Sequence, residues 1–381
     1  LAFLQISDFE NTAHRKLPRT IFDFIKGGAG SEAAQRRNES AFTGIAMVPR
    51  VLRAPRVRSS VVRLLGFDYA VPFGISPMGL GNLAWQGTDR GLLTTAASKG
   101  LPYALSAAGS TSIEEAAALA NGMLWFQLYI GADFRISQSL MRRAEAAGVR
   151  NLVLTVDAAH PGLRLRDRRN GFAEPLWRSP ALLLDYARHP GWSLTTLLRG
   201  LPQMVNLRQT DLQINGPEAT RVFMASMMAA ALDWEMLARV RELWPHQMIV
   251  KGVLAVEDAI HLKHAGVDAL VVSNHGGRQF GSAVSPLDVL PAIRTVVGPD
   301  YPLIMESGIR SGEDVVKSIA LGADFTLIGR PWLFACAAAG PGHGGQILAD
   351  LLTDEVDNAM AQSGCNSIAS LKHVEVVRVP A

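Results

Sequence analysis

The stretch VVSNHGGRQF, residues 271–280, sets an imidazole, two glycines and a guanidinium directly after an apolar run. A buried strand has no need of such an ending, whereas a catalytic site at the end of a strand does. His275 can move a proton near neutral pH. Arg278 can hold a carboxylate through two parallel hydrogen bonds. Other polar residues fall at the ends of other apolar runs. Ser76-Pro77-Met78-Gly79 end one run and Ser106 ends a second. Gln127 and Tyr129 lie in a third. Thr155 and Asp157 close a fourth, with Arg164 just beyond, and Lys251 closes a fifth. Glu306-Ser307-Gly308 with Arg310, and then Gly329-Arg330, close the last two. Buried polar groups are costly unless they are used, so this convergence marks a site. Asp157, beside the ring, would hold His275 and stabilise its cation, and Lys251 would bring positive charge to a cofactor. SGIRSGEDV and IGRPW place glycines and arginines where barrels bind phosphate through backbone N–H groups and a helix N-terminus. Together they point to a phosphorylated ligand.

The elements that must position these groups are legible as a repeat. Apolar runs occupy 71–76, 101–106, 124–129, 151–156, 247–252, 268–273, 302–307 and 324–329. Near-continuous aliphatic runs of this length read as parallel strands buried on both faces. Between most of them lie helical patterns such as DRGLLTTAASKG and SGEDVVKSIALG, opened by a capping residue type and closed near Gly. Eight strands alternating with helices predict an α/β fold, a (β/α)8 TIM barrel. The expectation is one domain over 1–381. It has a helical N-terminal extension at 1–70, with a helix around LPRTIFDFIKGG. The barrel covers 71–172 and 245–363, and a long strand 4 to strand 5 insertion covers 173–244.

That insertion far exceeds the ~10–15 residues a crossover helix needs, and a connection so long is usually functional. Within it Leu194, Leu197, Leu198 and Leu201 recur at helical spacing, flanked by Arg178, Arg188 and Arg199. Two readings fit: a basic amphipathic segment on a membrane surface, or an ordinary helix packed on the barrel. The pattern alone favours the second.

Composition narrows the class. A net charge of +3 over 381 residues is too small and dispersed for nucleic acid, and no nucleic-acid motif is present. Cys336 and Cys365 cannot make a disulfide framework or a zinc site, and no metal is expected. Cys336 reads as a packed core thiol in an apolar helix. The start turns polar within a few residues, without a signal-peptide pattern. From the missing initiator Met, the expectation is that a short leader has been removed.

The motif SNHGGRQ, preceded by VKG and followed by SGIRSGEDVVKSIALGADFTLIGR, resembles the FMN-dependent (S)-2-hydroxy acid oxidases and dehydrogenases. LWFQLY, LTVDA and LPRTIFDFIKGGA match as well. The resemblance spans nearly the whole chain. It implies FMN as cofactor and His275 as the base that takes a proton from the substrate, with Asp157 stabilising the imidazolium. Arg164 and Arg278 would bind the substrate carboxylate, and Tyr129 would hydrogen-bond the substrate near its reacting carbon. Lys251 would stand by the flavin N1–O2 edge. Pro77, Met78, Gly79, Ser106, Gln127, Thr155 and Ser273 would contact the flavin. Glu306 would lie against the ribityl chain, Ser307 would help to bind the cofactor, and Gly308, Arg310, Gly329 and Arg330 would hold its phosphate.

Two positions depart from the family. Phe24 stands where relatives usually place a second carboxylate-binding tyrosine. Glu306 stands where they place Asp. Ala108 replaces a pocket tryptophan of glycolate oxidase, which opens room for an aromatic substrate and favours (S)-mandelate, with benzoylformate as product. Gly79, where oxidases usually carry Ala, and the similarity of ARHPGWSLTTLLRGLPQMVNL to membrane-associated relatives favour a dehydrogenase. That similarity reverses the reading of the leucine segment. The expectation becomes membrane contact through 177–215, electron transfer to a quinone, and a cytoplasmic protein peripheral on the inner face of the cell membrane. A tetramer is usual in the family. The alternatives are a soluble hydroxy acid or hydroxymandelate oxidase using O2 and making H2O2, and an L-lactate dehydrogenase. Outside the family the rivals are a non-redox flavin barrel and an inactive flavin-binding protein.

Overall fold

The computed structural model describes residues 2–53, 57–172, 179–208 and 232–380. Eight parallel strands close a barrel in sequence order. They run Phe73–Ile75, Tyr103–Ser106, Leu124–Leu128, Asn151–Thr155, Gln247–Val253, Ala269–Val272, Leu303–Glu306 and Phe325–Ile328. Every apolar run lands on a strand, with its polar tail at the C-terminal end. The reason is burial on both faces. Val271 points inward with Trp125, Val153, Ile304 and Phe325, while Leu270 and Val272 face the surrounding helices. A hairpin, Val62–Leu64 with Phe67–Tyr69, closes the bottom, where Tyr69 Oη accepts a hydrogen bond from Trp125 Nε1 at 2.9 Å.

The N-terminal extension holds three helices, Ile6–Lys16, Arg19–Lys26 and Ala33–Thr43. Only the second is apparent in the sequence, because the outer two carry many polar residues and owe their place to tertiary packing. Cys336 is fully buried in the helix Arg330–Ala339. The C-terminal strand Val376–Arg378 returns to pair with Ile45–Met47.

Within the insertion the helices Pro180–Arg188 and Pro190–Arg199 are joined at His189. Trp192 is buried, and its Nε1 donates to Leu83 O at 2.9 Å. Gln86 Nε2 donates to Gly200 O at 2.7 Å. Both bonds clip the segment onto the turn after strand 1. Leu197 and Leu198 are 80% and 85% exposed, and Leu183, Leu184, Leu194 and Leu201 are exposed as well. The leucines thus face away from the barrel. Arg178 and positions 177 and 209–215 of the expected membrane segment lie outside the described residues. Among the described residues no helix is long and apolar enough to cross a membrane.

Asp89 fastens two turns that border the site. Its buried carboxylate accepts from Ser110 N at 2.9 Å and Tyr103 Oη at 3.3 Å, and Asn82 Oδ1 accepts from Asp89 N at 3.0 Å. Burial raises this carboxyl to about 6. An acid whose folded pKa lies above its unfolded value stabilises the fold below the unfolded pKa and loses that contribution as pH rises through the folded one. Relative to wild type, Asp89→Asn is therefore expected to gain about 2–3 kcal/mol of stability between pH ~4 and pH ~7. Denaturant titration of both holoproteins at the two pH values measures this, and a pH-independent difference would contradict it.

Candidate active site

The C-terminal ends of the strands surround a cavity of about 550 Å³. The chain enters it at three unusual backbone positions. His275, Gly276 and Gly277 all have positive φ, at 57°, 64° and 73°, a conformation costly for a residue with a Cβ. The two glycines are needed for space as well. A Cβ on Gly276 would meet the Arg330 guanidinium at 2.5 Å, and one on Gly277 would meet Gln35 N at 2.6 Å. This turn lifts the imidazole off the end of strand 6 and over the cavity.

His275 Nδ1 lies 2.9 Å from Asp157 Oδ1. Burial alone would raise the Asp157 carboxyl, yet His275 and Lys251 hold it below its ordinary value. Asp157 is therefore an anion that accepts from Nδ1, which leaves Nε2 for a substrate. Gly252, with φ of 108°, makes room for this pair, since a Cβ there would sit 2.6 Å from Asp157 Cβ and Cγ. Sequence reasoning did not find this residue, because the need for it comes from a neighbouring strand. Gly252→Ala is expected to displace Asp157 and to slow flavin reduction about 10–100-fold with FMN retained. Stopped-flow absorbance measures the rate, and a wild-type rate would refute the link.

Arg278 and Arg164 face the same space. Arg278 NH1 donates to Phe24 O, Ile25 O and Gly27 O at 2.8, 3.3 and 3.0 Å, which ties the N-terminal extension over the cavity. Burial, then Arg164 and Arg330 nearby, push its pKa well below the ordinary arginine value. A guanidinium so placed gains strongly from a bound anion. Arg164 Nε lies 3.2 Å from Asp167 Oδ2, a resident carboxylate three residues on that the sequence reading passed over. Phe24 supplies its ring face instead of a hydroxyl. The Arg164 and Arg278 guanidinium carbons lie 5.4 and 5.2 Å from its centroid, within cation–π range. The ring also stacks in parallel on Phe172 at 4.3 Å.

Of the expected site residues, Phe24, Pro77, Met78, Gly79, Ala108, Tyr129, Arg164 and Lys251 line the cavity. So do His275, Arg278, Glu306, Ser307, Gly308, Arg310, Gly329 and Arg330. Asp157, Ser106, Gln127, Thr155 and Ser273 lie at the same strand ends and are not among the cavity's lining residues. Met204, in the insertion, and Phe172, just before it, line the cavity too; residue type does not mark them, because tertiary packing fixes which side chains of the long connection after strand 4 fold back.

The residues present fit FMN. Gln127 Nε2 and Thr155 Oγ1 are buried at strand ends beside Ser106 and Lys251, and neither finds a hydrogen-bond partner among the described residues. The same holds for Arg310 Nε. Arg330 uses three N–H groups on Ile25 O, Gly276 O and Gly27 O, which leaves two of a guanidinium's five donors free. Donors, glycines and two arginines at the ends of strands 7 and 8 suit a phosphate.

Comparison with known proteins agrees. Residues 13–378 match the family described as FMN-dependent dehydrogenase. The chain is similar to (S)-mandelate dehydrogenase of Pseudomonas putida, 37% identical over 96% of this chain and 92% of the relative. It is equally similar to L-lactate dehydrogenase of Pectobacterium atrosepticum, at 37% over 98% and 96%. Among solved structures it resembles the monotopic membrane protein (S)-mandelate dehydrogenase, with a TM-score of 0.92 and 34% identity over 98% of this chain and 100% of that one.

Proposed function

The chain belongs to the FMN-dependent dehydrogenases, and on that premise we propose that it oxidises (S)-mandelate to benzoylformate and delivers the electrons to a membrane quinone. FMN, when bound, supplies the two-electron acceptor. Arg278 and Arg164 bind the substrate carboxylate and thereby set C2 below the imidazole. His275 takes a proton from the substrate at Nε2, and Asp157 stabilises the resulting cation. Burial pushes the Tyr129 phenol up to about 12, so it stays protonated and donates to the substrate oxygen. Lys251 brings positive charge to the flavin edge. Gln127, Thr155, Ser106, Ser273 and the Pro77–Gly79 turn contact the ring system, while Gly308, Arg310, Gly329 and Arg330 receive the phosphate.

The observation that favours an aromatic substrate is the apolar part of the lining, in which the small Ala108 joins Phe24, Leu80, Phe172 and Met204. Anaerobic flavin reduction across a panel of 2-hydroxy acids tests it. (S)-Mandelate is expected to give the highest ratio of reduction rate to half-saturating concentration, and a clear preference for L-lactate would replace this reading with the lactate dehydrogenase one. The acceptor is tested by mixing reduced enzyme with O2. Reoxidation as fast as turnover would make the protein an oxidase.

The outward leucines support membrane contact. Changing Leu194, Leu197, Leu198 and Leu201 to Gln is expected to abolish sedimentation with liposomes while leaving FMN content and dye-coupled turnover intact. Undiminished sedimentation would remove the membrane claim. These substitutions are preferable to deleting 177–215, because Trp192, Met204, Asn206 and Leu207 from that segment are buried in the fold.

A further inference from the structure

Lys251 and Glu306 stand at the C-terminal ends of barrel strands 5 and 7, on either side of Ser273 after strand 6. Glu306 Oε2 lies 2.6 Å from Lys251 Nζ and accepts from Ser273 Oγ at 2.7 Å. Lys251 Nζ donates to the same hydroxyl at 3.2 Å. The three side chains close a buried triangle whose two charged members border the cavity. The Lys251 side chain is 2% exposed and that of Glu306 is 11%. Little water screens such a pair, so anything beyond it feels the ammonium largely cancelled by its carboxylate. Asp157 also acts on Lys251 through space, but it bonds His275 through Oδ1 and its Oδ2 has no partner among the described residues, whereas Glu306 touches Lys251 directly. Glu306 is therefore the group that decides how much of the Lys251 charge is left for a ligand.

Both groups are ionised. Burial opposes the charge on each, yet Lys251 outweighs burial and holds the Glu306 carboxyl below its ordinary value. Burial lowers the Lys251 ammonium, and Glu306 with Asp157 more than reverses this. The reach of the side chain matters. A carboxylate one methylene shorter would end about 1.5 Å further from Nζ.

We propose that Glu306 sets the electron affinity of the bound flavin, pairing with Lys251 so that positive charge is withheld from the ring and the two-electron potential of FMN is kept low. This rests on the reading that Lys251 borders the flavin. Two-electron reduction adds negative charge to the ring, so an unpaired ammonium beside it favours the reduced form and a paired one favours it less. A lower potential makes the reductive step less downhill and delivery of electrons to the acceptor more so.

Two spectroscopic measurements on the purified holoenzyme test this without turnover: sulfite affinity and the midpoint potential by equilibration with a reference dye. Sulfite adds to the ring as a nucleophile and leaves negative charge on it, so its affinity reports the positive charge nearby. Glu306→Gln is expected to bind sulfite about tenfold more tightly or better. Its potential should rise by about 30 mV for each tenfold change in the equilibrium constant of the two-electron couple. Glu306→Asp keeps the charge but shortens the reach, and it shifts both quantities the same way by less. In a Lys251→Met background, Glu306→Gln is expected to shift neither, because a buried carboxyl without its cation takes up a proton and is already neutral.

The proposal is overturned if Glu306→Gln leaves both quantities unchanged while Lys251→Met weakens sulfite binding. The flavin-edge reading of Lys251 then survives and only the role of Glu306 fails. Should the amide variant not hold FMN, the same outcome for Glu306→Asp overturns it. If Lys251→Met also moves neither quantity, Lys251 does not border the flavin, and the underlying reading fails together with the proposal.

Discussion

Replacing His275 with alanine is expected to leave a yellow protein whose flavin (S)-mandelate reduces at least about 10²–10⁴-fold more slowly. The size of the effect follows from where the ring stands. Its Nδ1 is committed to Asp157 at 2.9 Å, so one nitrogen holds the geometry and the other is left for the substrate. The Asp157 carboxylate lies on the far side of the ring and outside the cavity lining, and the groups inside the cavity offer no substitute. Tyr129 is held protonated by burial, Lys251 is paired with Glu306, and the arginines are cations. The cofactor is expected to remain, because the side chain makes no hydrogen bond that holds the strand-7 and strand-8 turns. The turn itself is kept by backbone N–H groups donating to serine hydroxyls, His275 N to Ser273 Oγ at 3.0 Å and Gly276 N to Ser307 Oγ at 3.0 Å. Flavin content by absorbance and reduction rate by anaerobic stopped flow separate the two properties. Fast bleaching in the alanine variant would show that the proton leaves by another route.

The second large effect is expected from Arg278→Lys. Lysine keeps the charge but loses the planar fork, so it cannot hold a carboxylate with one edge while NH1 ties down Phe24, Ile25 and Gly27. Two hydrogen bonds to a charged group are worth about 1.5–3 kcal/mol each, so kcat/KM should fall by about 10²–10³ or more. Binding of phenylacetate, a carboxylate that cannot react, should weaken by a similar factor, which distinguishes loss of the clamp from damage to the base. Wild-type affinity for phenylacetate would mean that Arg278 is a structural tie alone.

The eight strands could be read because a parallel strand in a barrel is buried on both faces and must be apolar almost throughout, so each announces itself locally. The polar tails could be read for the converse reason: Ser273, His275 and Arg278 have no business after Val271-Val272 unless the strand end is used. The outer helices of the extension could not be read, since Ala33–Thr43 is largely polar and gains its place by packing under the His275 turn. Gly308 shows the limit from another side. Its type suggested phosphate, yet a Cβ there would also run into Asn38 O on that helix, a constraint from distant sequence.

The sequence by itself determined the barrel and which polar residues gather at its strand ends, because those depend on residue type and on spacing along a strand, while FMN followed from the resemblance of SNHGGRQ and its flanks to a family. Tertiary structure alone decided the pairings. Gly252 makes room for Asp157, Phe24 packs against two guanidiniums and Phe172, Trp192 points inward while its leucine neighbours point out, and Glu306 is long enough to reach Lys251. Each depends on distances between segments far apart in the chain. Such distances are fixed only when the barrel closes and the extension and insertion fold back over its mouth.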